Sequence, residues 1–192
     1  MRVTGGQFRG RILHVQKGKD IRPTSDKVRQ AIFNSLLQYQ LPEGAQVLDL
    51  FAGSGALGLE ALSRGAQFCT FIDKDRSSIK CCERNIDTLD LKNQSKVINT
   101  DSTSLKEKAL NYIPADLAFF DPPYRQDLVL PSLMSAIKHS WLKAGAICVI
   151  EAEENTDVFV PEVVSLLKRK KYGSSQVLFC RYGTGIASSE PL

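Results

Sequence analysis

Two short stretches of this 192-residue chain hold groups suited to chemistry. In the first, Val47-Leu48-Asp49-Leu50 runs into Phe51-Ala52-Gly53-Ser54-Gly55-Ala56-Leu57-Gly58, a G-x-G-x-x-G pattern between an apolar run and a helical one. Asp73 follows Gly53 by 20 positions, at the end of the next apolar run. By spacing, this matches a dinucleotide fingerprint in which the acid takes a ribose hydroxyl. The pattern is shared by NAD-type cofactors and other adenosyl ligands. Asp49 helps to separate them. A pyrophosphate over this turn disfavours a carboxylate, whereas S-adenosylmethionine has no phosphate and brings a sulfonium and an ammonium group that a carboxylate attracts. D-L-F-A-G-S-G therefore favours S-adenosylmethionine, against the plainer role of Asp49 as a cap for the loop or helix. Asp101, after Val97-Ile98-Asn99-Thr100, ends a third apolar run. It could accept from an adenine amino group or cap the helix that follows, and its position leaves both open.

The second stretch is Asp121-Pro122-Pro123-Tyr124, after the apolar run Asp116–Phe120. Two prolines lack N–H donors and hold the backbone extended. What remains is a rigid pair of acceptors, the Asp121 carboxylate and the Pro122 carbonyl, beside an aromatic ring. Such a set suits an exocyclic amine of a nucleobase. Its lone pair is delocalised into the ring, so it is a poor nucleophile. Two acceptors on its hydrogens would turn that lone pair towards a methyl donor and stabilise positive charge growing on nitrogen. Tyr124 could stack on a base drawn out of its helix. The alternative is a proline turn after a buried strand, capped by Asp121.

These motifs need a scaffold, and the chain supplies a regular one. Apolar runs at Gln46–Leu50, Phe68–Ile72, Lys96–Asn99, Ala115–Phe120, Ala146–Ile150 and Gln176–Tyr182 are continuous, as in strands buried on both faces. Helical patterns fill Ala56–Arg64, Arg76–Leu89, Leu105–Leu110, Leu128–His139 and Val158–Lys170. The alternation predicts an α/β fold with a doubly wound, mostly parallel sheet. Residues 25–192 read as one compact unit. Before it, residues 1–24 carry Gly5, Gly6, Gly10 and Gly18 with short apolar stretches, the pattern of a small β-hairpin or arm. A helix is expected from Ser25 to Leu37, with Thr24 or Ser25 as its cap and Val28, Ile32 and Leu36 as its buried stripe.

The charge is uneven. Of 25 basic and 21 acidic side chains, residues 1–30 hold eight basic (Arg2, Arg9, Arg11, Lys17, Lys19, Arg22, Lys27 and Arg29) against Asp20 and Asp26. That segment is +6 and the remainder −2. A local excess of this kind meets polyanions, here through phosphate contacts that position without reading sequence. Phe8, among the basic residues, could stack on a base or pack the hairpin, and packing is favoured. Lys168, Arg169, Lys170 and Lys171 form a second basic cluster, placed by the helical pattern at a helix C-terminus; it could favour that helix end or contact RNA, and the sequence leaves both open.

Other classes fall away. No apolar run reaches the length of a membrane span, and MRVTGGQFRGR lacks the apolar core of a secretory signal. Five cysteines, with no C-x-x-C pair, fit a reduced cytoplasmic protein without structural zinc. Cys81-Cys82 reads as inert, and His14 and His139 as surface or structural groups.

Taken together, the motifs resemble a known family. D-L-F-A-G-S-G followed by D-P-P-Y is similar to the amino-group methyltransferases that use S-adenosylmethionine. More narrowly, V-T-G-G-Q-F-R-G-R, R-P-T-S-D-K-V-R-Q-A-I-F-N at 22–34 and L-D-L-F-A-G-S-G-A-L-G-L-E-A-L-S-R-G-A at 48–66 resemble the RsmD family, bacterial 16S ribosomal RNA guanine-N2 methyltransferases. The likeness covers essentially the whole chain, and the 22–34 segment separates it from DNA adenine methyltransferases. It implies a Rossmann-like methyltransferase fold with Asp49, Gly53 and Gly55 in the cofactor loop, Asp73 on the cofactor ribose and Asp101 by its adenine. It implies Asp121, Pro122, Pro123 and Tyr124 on the target guanine, with Arg22 and Thr24 bordering the cofactor or base. Relatives commonly carry Glu at the position of Asp73, and the shorter acid still reaches a ribose in many such folds. Methyl transfer would be a direct in-line displacement needing no metal, Cys, Lys or His, and would release S-adenosylhomocysteine. Arg2, Arg9, Arg11, Lys17 and Lys19 would hold the RNA, within 16S rRNA or a small ribosomal subunit or its assembly intermediate. A monomer with no membrane partner is expected. The alternatives are an N6-adenine methyltransferase acting on DNA or RNA, since D-P-P-Y serves either amine, and a nucleic-acid-binding protein of the same fold without activity. An NAD oxidoreductase is disfavoured because no hydride-transfer site is evident.

Overall fold

Continuous apolar runs form the centre of a sheet buried on both faces. The computed structural model describes residues 1–16, 25–107, 112–123 and 126–183. Among these, seven strands form one sheet: β1 (Gln46–Leu50), β2 (Phe68–Asp73), β3 (Ser95–Asn99), β4 (Ala115–Phe120), β5 (Leu142–Glu153), β6 (Val164–Tyr172) and β7 (Ser175–Tyr182). The order is β3-β2-β1-β4-β5-β7-β6. The first five run parallel, and β7 is antiparallel to both β5 and β6. Strand order reverses between β1 and β4, so the ligand crevice of such a sheet opens at their C-terminal ends.

Alternate residues of each strand feed two apolar clusters. Val47, Leu117, Phe119, Val149 and Phe179 pack with helices α1 (Asp26–Leu36), α2 (Ala56–Ser63) and α3 (Arg76–Thr88) on one face. Leu48, Leu50, Phe120, Ile150 and Leu178 pack with helix α4 (Val129–Lys138) and Trp141 on the other. Ser25 caps α1 by accepting from the Val28 amide. No helix among the described residues is long and apolar enough to cross a membrane.

Two helical readings are corrected. Val158–Lys170 is not a helix: its second half is strand β6, which turns through Gly173 (φ +60°) into β7. Apolar residues at 158, 160, 163, 166 and 167 imitate helical spacing, but pairing with β7 decides the outcome. Lys168, Arg169, Lys170 and Lys171 therefore lie on an edge strand and not at a helix end. Charge there blocks pairing with another chain, and Lys170 also donates to the Ser35 hydroxyl at 2.9 Å. In place of a helix at Leu105–Leu110 there is a single 3₁₀ turn at Ser102–Ser104; residues 105–107 are irregular, and 108–110 lie outside the described residues.

Residues 1–13 fold back on themselves. Arg2 and Ile12 make an antiparallel bridge, and Val3 exchanges backbone hydrogen bonds with Arg11 and Gly10. Val3 and Leu13 are buried in the same apolar cluster as α1 and α2. Phe8 also packs against that cluster. The turn lies against the end of α2. A Cβ at Gly6, whose φ is +74°, would stand 1.8 Å from the Ser63 carbonyl oxygen, so only glycine fits there. The chief polar tie is Glu60, on α2 and fully buried. Its carboxylate accepts from the Thr4 amide (2.8 Å), the Thr4 hydroxyl (2.7 Å), Arg64 Nε (2.8 Å) and Arg29 Nε (3.2 Å). Arg29, also fully buried, donates onward to Asp26 and to the Arg2 carbonyl.

Removing one partner of a buried pair leaves the other charge uncompensated, at about 3–5 kcal/mol. Glu60→Ala should therefore lower the stability in urea by about that amount and expose residues 1–13 to protease before the sheet unfolds. A loss under about 1 kcal/mol, the scale of an exposed pair, with the arm still protected, would show that apolar packing alone holds it.

Candidate active site

The site grows from the ends of three neighbouring strands. Leu50 of β1 pairs with Ile72 of β2 on one side and Phe120 of β4 on the other. Phe51 and Asp121 therefore leave the sheet side by side, and Asp73 ends β2 next to them. After Leu50 the chain turns sharply, with positive φ at Phe51, Gly53 and Gly55. Two glycines let the turn press onto α3 and α2 press onto the sheet. A Cβ at Gly58 would meet Phe71 Cε1 at 2.3 Å and Cys69 Sγ at 2.6 Å, and one at Gly55 would meet Cys82 Sγ at 2.7 Å.

Acidic side chains hold this turn. Asp73 Oδ2 accepts from the Gly53 amide and Oδ1 from the Asp75 amide, each at 2.8 Å. Asp49 is 2% exposed, and its Oδ2 accepts from the Gly58 amide at 2.9 Å. Gly55, the residue before α2, offers no side-chain cap, so Asp49 satisfies from the sheet a donor that the helix leaves unpaired. The plainer role considered for Asp49 is thus realised. Burial, reinforced by the negative charge of Asp73 and only partly offset by the Gly58 amide, raises its pKa to about 7. Such a carboxylate ionises most readily when a cation sits beside it.

Asp101 also performs its plainer role, accepting from the Thr103 amide (2.9 Å) and hydroxyl (2.7 Å) to cap the 3₁₀ turn. Those bonds, with Lys74 at 3.9 Å, hold its carboxyl below the usual range. Asp121 is half-buried at the end of β4, Pro122 is buried and Pro123 is exposed. Beyond this turn lies a cavity of about 300 Å³, lined by Pro122, Pro123, Leu130, Glu151, Val158 and Phe159 among others. Phe159 is 75% exposed. Nothing in the sequence singled out Phe159, because its segment reads as helical. Tyr124, Arg22, Thr24, Lys17 and Lys19 lie outside the described residues.

The basic arm is only partly gathered. Arg2 and Arg9 line a cleft of about 420 Å³ with Lys27, Gln30 and Asp26 of α1. Arg2 pairs there with Asp26 at 3.3 Å. Arg11 points elsewhere and donates to the Thr88 carbonyl at the end of α3. Lys27 is a contributor that the arm-centred reading left out. Asn85 is another residue the motifs do not reveal. It is fully buried in α3 and bonds both to His14 and to the Ser54 carbonyl of the glycine turn. Its signal is faint: a polar residue on the stripe of Ser78, Cys82 and Ile86, the buried side of α3.

Known proteins share this arrangement. The family model described as "Conserved hypothetical protein 95" matches residues 1–181. The ribosomal RNA small subunit methyltransferase D of Escherichia coli K12 is 40% identical over 175 residues, covering 90% of this chain and 85% of the relative. Its namesake in Haemophilus influenzae is 36% identical over 174 residues, covering 90% and 89%. The solved structure of the yhhF protein of Escherichia coli superposes with a TM-score of 0.81 at 36% identity, covering 95% of this chain and 97% of that one. With its sheet, its glycine turn and its family match all in agreement, the chain belongs to the RsmD family and is an S-adenosylmethionine-dependent RNA methyltransferase.

Proposed function

We propose that this enzyme transfers a methyl group from S-adenosylmethionine to the exocyclic N2 amine of a guanine in 16S ribosomal RNA, the position numbered 966 in family terms. The observation that carries this reading is the emergence of Asp121-Pro122-Pro123 beside the glycine turn at the point where strand order reverses. The residues fit the methyl donor. A turn without side chains admits an adenosyl group closely, Asp49 offers a buried carboxylate to its cationic end, and Asp73 stands where a ribose would lie. Asp101 borders the adenine. Bound there, the donor supplies an activated methyl group and leaves as S-adenosylhomocysteine.

The chain's own residues do the rest by placement. The Asp121 carboxylate and Pro122 carbonyl accept the two hydrogens of the guanine amine, turning its lone pair out of conjugation and towards the methyl group. Asp121 stabilises the positive charge that grows on nitrogen as the N–C bond forms and the S–C bond breaks, and the methylated nitrogen then sheds one proton to solvent. Tyr124 stacks on the base, and Arg22 and Thr24 border the site. Residues 1–24 form an RNA-holding arm on a catalytic unit of 25–192, with Arg2, Arg9, Arg11, Lys17 and Lys19 on phosphates. The substrate is 16S rRNA within the small subunit or its assembly intermediate, met in the cytoplasm by a monomer that uses no metal.

Labelled S-adenosylmethionine offered with naked ribosomal RNA, 30S particles or duplex DNA should yield N2-methylguanosine from the ribosomal substrates alone. N6-methyladenosine as the product would overturn the guanine assignment. Asp121→Ala should slow transfer by at least about 10²-fold while leaving donor affinity nearly unchanged; equal loss of both would make Asp121 structural. Donor affinity should also follow the charge on Asp49. Protonated Asp49 presents no charge, so S-adenosylmethionine should bind more weakly as pH falls below about 7, and S-adenosylhomocysteine, which lacks the sulfonium charge, should be affected less. In the free protein the sign reverses. The folded state holds this proton to higher pH than the unfolded state does, so stability falls as pH rises from about 4 through about 7. Calorimetric titration of both ligands from pH 5.5 to 8 checks the binding trend, and identical profiles would remove Asp49 from the sulfonium, since the ammonium group is common to both. Finally, Arg9→Gln with Lys27→Gln should weaken RNA binding and reduce its salt slope by about 1–2; an unchanged slope would clear that cleft of phosphate.

A further inference from the structure

Asn85 is the one side chain among the described residues seen to bond both the basic arm and the glycine turn. Its Nδ2 donates to the Ser54 carbonyl at 2.8 Å and to the His14 carbonyl at 3.0 Å. Its Oδ1 accepts from the His14 amide at 2.8 Å. A side-chain amide has two N–H donors and one carbonyl, and here both donors and the acceptor are engaged. Turning it over would set its oxygen against two carbonyls, so the orientation is unique. Around it, Cys81 Sγ donates to the same His14 carbonyl and Gln16 donates to Ser78, fastening the segment after the arm's turn along α3. That segment continues in sequence to Lys17, Lys19 and Arg22. Ser54 lies between Gly53 and Gly55, whose positive φ shapes the turn. The amide is fully buried, where a lost hydrogen bond leaves a desolvated group unpaired.

Resting on the RNA-methylation reading above, we propose that Asn85 is a positioning residue that couples the arm to the cofactor turn, so that RNA on the arm and ligand in the turn tighten each other's binding. RNA held on the arm restrains residues 14–16, and the Asn85 amide, bonded to His14 on one side and Ser54 on the other, passes that restraint on. The Ser54 carbonyl, and with it the turn between Asp49 and Asp73, is then held in its bound shape. A ligand arriving second has less ordering to do. Linkage makes the effect reciprocal, and couplings of this kind typically change affinity by about 5- to 150-fold. The device gives the enzyme a preference for forming the complete ternary complex over binding either partner alone.

The test measures S-adenosylhomocysteine affinity by calorimetry with and without a saturating 16S rRNA fragment. The wild-type protein should bind it at least about fivefold more tightly with RNA. Asn85→Asp keeps the size and the bond from the His14 amide but replaces both donors with a charge facing two carbonyls; the RNA enhancement should fall to about onefold while each partner still binds alone. Gln16→Ala, which breaks the neighbouring tie to Ser78 without touching the turn, should keep the enhancement. Wild-type protein that binds both partners independently would overturn the coupling, and an Asn85→Asp enzyme with full enhancement would overturn the role of Asn85. Failure of the wild-type protein to bind either partner would instead overturn the functional reading. Should Asn85→Asp not fold, hydrogen exchange on the wild-type protein decides: RNA without cofactor should slow exchange at residues 52–58, and no slowing there defeats the proposal.

Discussion

Helix α2 can lie against the sheet only because residue 58 has no side chain, and both functional ends of the molecule hang from that contact. With Phe71 and Cys69 directly under Gly58, any Cβ would lift the helix. Seated so low, α2 brings the Gly58 amide onto the Asp49 carboxylate and closes the turn that Asp73 holds from the other side. The same eight-residue helix carries Glu60 and Ser63. Those two residues bind Thr4, Gly5, Gln7 and Phe8 of the arm. One close packing thus sets the positions of cofactor turn and arm together.

The two carboxylates nearest this helix illustrate opposite ways of burying charge. Glu60 is fully buried yet meets two guanidiniums and a threonine, so its ionised form is matched on every side. Asp49 is nearly as buried, but its one hydrogen-bond partner among the described residues is a backbone amide, and Asp73 adds like charge. Burial without a matching cation is costly unless the group gives up its charge or a cation arrives. Glu60 builds the protein, whereas Asp49 keeps the unmatched charge that the proposed function gives to a cationic ligand.

Much of this was legible in the residues, for identifiable reasons. Strands β1, β2 and β4 are continuous apolar runs because both faces of the sheet are covered, and the glycine turn declares itself because glycine suits the positive φ at 53 and 55 and only glycine fits the contact at 58. The edge strand β6 was misread because an edge carries no such run: Leu166 and Leu167 are both substantially exposed, and lysines alternate irregularly around a register shift. Its identity comes from pairing with β7, which is non-local. Phe159 stayed hidden for the same reason, since its place beside Pro122 and Pro123 depends on where β5 ends. Asn85 and Glu60 belong to another class. A buried polar residue on a helix looks ordinary in sequence, and its meaning lies in partners 31 to 71 positions away.

Inertness elsewhere in the core narrows what chemistry the fold can support. Burial pushes the thiols of Cys69 and Cys82 well above their ordinary range, and those of Cys81, Cys148 and Cys180 upward as well. A thiol reacts through its thiolate, so the vicinal pair on α3 serves packing and, in Cys81, a bond to the His14 carbonyl. What remains at the crevice is a set of hydrogen-bond acceptors: Asp49, Asp73, Asp101, Asp121 and the carbonyl of Pro122. Placed as they are, these acceptors can orient N–H donors and stabilise positive charge. Methyl transfer from a sulfonium to an amine requires that combination, because charge passes from sulfur to nitrogen and no anion needs stabilising. The net charge agrees with the proposed division: the acidic remainder suits a cationic donor, and the +6 segment suits the phosphates of an RNA.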